Sequence, residues 1–109
     1  MPQNTIKAIP LTIFDSAGLG AAYESMNSPG FEHPVVYVTI TNDSDQDIFI
    51  SYDSVEDHDI VFHGGMLILF PQMLSLPNNK VAMFSRNQDI FGRVEAPATG
   101  DVYIAAYYI

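Results

Sequence analysis

The sequence predicts an all-β chain, folded as a single small antiparallel β-sandwich or jelly-roll-like barrel spanning residues 1–109, and three observations carry that prediction. Short segments alternate apolar and polar residues with a period of two, the mark of a half-buried strand. Gly- and Pro-bearing turn signals recur at close spacing. No segment shows a helix-length apolar stripe between capping residues. The clearest alternation runs through Val35–Asn42 and Asp47–Asp53, separated by the acidic turn Asp43-Ser44-Asp45-Gln46. It puts Val36, Val38 and Ile40 on one face, and Ile48, Ile50 and Tyr52 on one face of the next strand, and it reads as a β-hairpin.

Ile6–Phe14 alternates loosely and carries Pro10, which cannot donate to a ladder, so an edge strand or a bend is expected there. Asp15–Gly20 is a turn with two glycines, and Ala21–Met26 is short enough to favour a strand over a helical turn. Asn27-Ser28-Pro29-Gly30 and His33-Pro34 are turns. Beyond Asp53 the acidic loop Ser54–Asp59 leads to a strand at Ile60–Phe62, and His63-Gly64-Gly65 turns into another at Met66–Phe70. Pro71 and Pro77-Asn78-Asn79 mark a loop, followed by brief strands at Val81–Phe84 and Asp89–Val94. After the loop Ala96–Gly100 the final strand, Asp101–Ile109, sets Val102, Ile104, Ala106 and Tyr108 opposite Tyr103, Ala105, Tyr107 and Ile109. Both faces of Val35–Asn42 and of this last strand carry aromatic or branched residues, so part of the outer surface is expected to be covered, by a neighbouring subunit for instance.

At 109 residues, with 48% hydrophobic and 16% charged residues, the chain has apolar surface enough to fold as one domain. Seven Phe and six Tyr exceed what so small a core hides, which makes a homo-oligomer the expectation. The net charge of −9 and the scattered Lys7, Lys80, Arg86 and Arg93 argue against nucleic acid, whose phosphates need clustered cations, and against an anionic membrane. A basic protein surface is the better match for such a charge. Without cysteine there is no disulfide framework, thiolate nucleophile or Cys-based zinc site. Met1–Thr5 lacks the basic and apolar regions of a secretory signal, and Met66–Phe70 is far below membrane-spanning length, so a soluble product is expected.

Asp43, Asp45 and Asp47 have the D-x-D-x-D spacing that opens a calcium loop. An EF-hand needs Gly at the sixth position and Glu at the twelfth, where this chain has Ile48 and Ser54. An acidic turn that discourages edge pairing is the simpler reading. His58 and His63, with Glu56, Asp57 and Asp59, approach a metal or acid–base cluster but match no ligand spacing, and His33 reads as a turn residue before Pro34. No nucleophile elbow and no phosphate-binding glycine loop is present. No catalytic residue, cofactor site or metal site is therefore assigned, and the chain is expected not to be an enzyme.

The segments Ile48-Phe49-Ile50-Ser51-Tyr52-Asp53, Asp57-His58-Asp59, Leu67-Ile68-Leu69, Pro77-Asn78-Asn79-Lys80-Val81-Ala82 and Thr99-Gly100-Asp101-Val102-Tyr103-Ile104-Ala105-Ala106-Tyr107-Tyr108 together resemble a family of small tailed-phage and prophage virion proteins. The resemblance runs from about Thr5 to the C-terminus, and Ser54 stands where that family often has Gly. It implies a non-enzymatic virion structural protein, assembled in the host cytoplasm. Its foremost role would be capsid-associated cement or decoration, contacting the major capsid protein or other virion proteins and sister subunits. Interface burial, at ~25 cal/mol per Å² of apolar area before association costs, would drive it. A neck, tail or fibre-base adaptor is the close competitor, and a carbohydrate-binding module using Tyr103, Tyr107 or His58 is a third expectation.

Overall fold

The computed structural model describes residues 6–28, 30–69, 84 and 86–108. Among them are β1 (Lys7–Ala8), β2 (Thr12–Asp15), β3 (Glu24–Ser25), β4 (Tyr37–Ser44), β5 (Ile48–Ser51), β6 (Asp59–Val61), β7 (Met66–Leu69), β8 (Phe91–Arg93) and β9 (Gly100–Tyr108). A 3-10 turn, Ser16–Gly18, is capped by the Asp15 side chain, which accepts from the Ala17 N–H. The expected loop at Pro71 and Pro77–Asn79 lies outside the described residues. So does the strand expected over Val81–Phe84, except that Phe84 forms an isolated bridge with Val35.

The first sheet is five-stranded, in the order β1-β9-β4-β7 with β2 also on β9, and the second is β3-β8-β5-β6. Every pairing among the described residues is antiparallel. β1 and β2 share one edge and are interrupted at Pro10, as expected of a residue that cannot donate. Counted as one strand they complete the two four-stranded layers of a jelly roll, so the predicted all-β class holds.

The predicted hairpin does not form. β4 pairs with β9 and β7 in the first sheet, while β5 pairs with β6 and β8 in the second, so residues 45–47 carry the chain across the sandwich. Two-residue hairpin turns need positive φ, and no residue from Asp43 to Asp47 adopts it. The buried side chain of Asn42 makes the corner instead. Its Nδ2 donates to the carbonyls of Gln46 (2.8 Å) and Val61 (2.9 Å), while Oδ1 accepts from the Ser44 N–H (3.0 Å) and hydroxyl. Its four hydrogen-bonding positions are filled, which lets a polar residue sit in the core without penalty. Asp45 ties the same corner to the β8–β9 loop by accepting from the Thr99 N–H (2.9 Å) and hydroxyl (3.1 Å). Gly100, at φ +111°, lets that loop run against the backbone of Asp43.

The inward alternation is as expected. Val38, Ile40, Val102 and Ile104 of the first sheet face Ile48, Ile50 and Val61 of the second, all at most 2% exposed, with Met26, Ile90 and Val94 completing the core. At the far end His33 stacks on Tyr108 at 4.0 Å, closing the edge beside β1.

Candidate functional site

The pairing of β4 with β9 brings together the two segments that carry aromatic or branched residues on their outer faces as well as their inner ones. In register across the first sheet, Ile13, Tyr103, Thr41 and Met66 form one outward row, and Ala105, Thr39 and Ile68 the next. A third row joins Ala8, Tyr107 and Tyr37, with the two tyrosine rings edge-on at 5.7 Å. Ile13, Met66 and Ile68 are each more than half exposed. None of these rows holds a charge.

Among the described residues of these strands, the charges on that face stand at one end. Asp15 opposes Asp101, and Asp101 opposes Asp43, so three carboxylates stand side by side on adjacent strands. Like charges directly opposite one another disfavour an isolated sheet. Lys7 pairs with Tyr108 at the opposite end of the sheet, on the other side from Ala8 and Tyr107.

The outer face of the second sheet is closed by its own side chains. The guanidinium of Arg93 lies 4.3 Å above the Phe49 ring and 5.8 Å from the Tyr23 ring centre. It donates to both carboxylate oxygens of Asp57, at 2.9 and 2.6 Å. This fork holds Asp57 below the usual carboxylate range and raises Arg93 further. Nothing in the sequence pattern singled out Arg93, because its partners lie far along the chain.

The β5–β6 loop holds the other polar cluster. Asp53 accepts through Oδ1 from the N–H groups of Val55 (2.8 Å) and Glu56 (3.1 Å) and from the Ser51 hydroxyl (2.9 Å), which lowers its pKa to about 2. His58 stacks on Tyr52 and accepts at Nδ1 from the Tyr52 N–H (3.1 Å), so the proton of the neutral ring belongs on Nε2, which faces Asp53 at 3.8 Å. Tyr52 donates to Asp59 at 2.6 Å, and burial first, then this bond to a carboxylate, raises its pKa.

The side chains of Asp53, Glu56 and His58 are close enough together to share an ion. A metal on Nε2 would need a proton on Nδ1, where Tyr52 already donates, so the ring is set for the opposite arrangement from a metal ligand. His63 sits at the other end of β6, where its N–H donates to Asp47, and it does not join this group. Asp57 and Asp59 are engaged by Arg93 and Tyr52. The sequence-level calcium candidates diverge: Asp43 lies on the outer face beside Asp101, Asp45 holds Thr99 and Asp47 holds His63. Tyr103 and Tyr107 belong to the first sheet and His58 to a loop of the second, so the three candidate sugar-stacking residues do not share a surface.

Comparison with protein-family models, with curated proteins and with solved structures yields no match.

Proposed function

We infer that this chain is a non-enzymatic structural protein of a bacteriophage virion, of the capsid-associated cement or decoration kind, which acts by burying surface between subunits. The observation that carries the reading is the outer face of β2, β9, β4 and β7, uncharged apart from the acidic row at one end, unlike the second sheet, where Arg93 and Asp57 close the surface. An exposed sheet face of this composition is a surface for association rather than for chemistry. The jelly roll is compatible with it but also serves lectins and cupins, so fold analogy alone selects nothing. The phage setting rests on the resemblance of the Ile50–Asp53 and Thr99–Tyr108 segments to small virion proteins.

In this reading the apolar face meets sister subunits, and the acidic corners around Asp43–Asp47 and Asp53–Asp57 meet basic patches on the major capsid protein. Quantitative mass spectrometry of purified particles tests it. Copy number comparable with the major capsid protein is the expected result. A few copies per particle would indicate the neck or tail adaptor instead, and absence from particles overturns the reading.

A further inference from the structure

We propose that two copies of this chain stack through the outer faces of their first sheets, with the strands of one running opposite to those of the other. The inference rests on the reading of this face as an association surface and names the occupant as a second copy.

Three features of the face argue for it. Its three outward rows are uncharged, and they mix large with small residues: Tyr103 and Met66 lie one row from Ala105 and Thr39. Facing sheets pack at about 10 Å by interlocking such side chains. A two-fold axis lying between the sheets and perpendicular to the strands sets the Tyr103 row of each copy over the Ala105 row of the other.

The acidic row then decides the orientation. An axis parallel to the strands would lay Asp15, Asp101 and Asp43 over the same three residues of the second copy, bringing six carboxylates together. The perpendicular axis separates the two rows by the length of the strands, roughly 20 Å at about 3.3 Å per residue and well beyond a Debye length of about 8 Å. It also sets each row over the end that carries Tyr107, which offers a hydroxyl donor. The face is thus complementary to itself only when reversed.

Size sets the strength. Four strands about 4.8 Å apart and roughly 20 Å long present on the order of 400 Å² per copy, half the ~800 Å² of a standard interface. The dimer is therefore weak and dissociates on dilution. Because each copy carries a net charge of −9, added salt relieves repulsion and strengthens it. A foreign basic partner on the same face would show the opposite salt dependence.

Sedimentation equilibrium of the full chain over a range of concentration and salt tests the proposal. A monomer–dimer equilibrium that shifts toward dimer with salt is expected. Thr39→Lys and Ile68→Lys, which put charge at the centre of the face, should abolish it while the β-sheet circular dichroism is kept. Val55→Lys, at a 76% exposed loop position, should leave it unchanged. Because the chain lacks cysteine, single-cysteine variants report the orientation. A bis-maleimide spanning about 10 Å should link Ala105→Cys dimers and not Asp101→Cys dimers. A monomer at every salt concentration, a dimer indifferent to both lysine variants, or linkage through Asp101→Cys overturns the proposal. These outcomes leave incorporation into virions, measured on particles, as an independent result.

Discussion

The side-chain amide of Asn42, on β4 of the first sheet, donates to the carbonyl of Val61, on β6 of the second, at 2.9 Å. This bond, with its companion to Gln46, turns the chain from one layer to the other. Asn42→Ala takes a donor from the buried Val61 carbonyl and the acceptor from the Ser44 N–H, and unsatisfied buried groups cost about 1–3 kcal/mol each. Loss of about 3 kcal/mol is expected in urea unfolding, enough to remove a large part of a small domain's stability.

Gly100 is the second requirement of the same corner. Its φ of +111° is a conformation that side chains rarely adopt, and an added Cβ would press on the backbone of Asp43 and Ser44. Gly100→Ala should destabilise by about 3 kcal/mol or more, seen as a lower urea midpoint at unchanged slope.

Ser54 holds φ at +63° in the exposed turn after β5. A left-handed residue with a Cβ stores about 1 kcal/mol that glycine does not. Ser54→Gly should therefore raise stability by somewhat less than that, read as a small increase in melting temperature. Equal or lower stability would show that its N–H bond to Ser51 Oγ depends on the serine backbone geometry.

Acid stability reports on Asp53. Its carboxyl is lowered from an ordinary 3.8 to about 2 by the N–H groups of Val55 and Glu56 and the Ser51 hydroxyl. A depressed folded-state pKa stabilises the fold above the unfolded value and loses that contribution as pH falls through the folded value. Melting temperature should thus drop between about pH 4 and pH 2, with Asp45 and Asp57, also lowered, adding to the slope. Asp53→Asn should flatten this limb by lowering the melting temperature at pH 7 while leaving it nearly unchanged at about pH 2.

Arg93 covers the second sheet by stacking and by a two-pronged bond together, which lysine cannot reproduce. Arg93→Lys should lower the melting temperature nearly as far as Arg93→Ala. Full recovery by lysine would mean that charge alone matters at this position.

The two-faced character of Val35–Asn42 and Asp101–Ile109 was legible in the sequence, and it is the core of the candidate surface. The acidic row that gives this surface its direction was not, because Asp15, Asp43 and Asp101 come from three separate parts of the chain and meet only through β-pairing. The apparent cluster around His58 and His63 failed for the converse reason. Neighbours in sequence are parted by a strand, as these two are by β6, whereas Asp53 reaches His58 through a turn.

By itself the sequence determined where the strands lie and which side of each is buried, since alternation is local and any pairing that buries the apolar side satisfies it. Val38 and Ile40 point inward as their spacing requires. Only the tertiary structure decided that β4 and β5 belong to opposite sheets. A hairpin and a crossing place the same residues inside, and the choice between them lies in contacts made across the chain: the bond from Asn42 to Val61, the grip of Asp45 on Thr99, and the close approach allowed by Gly100.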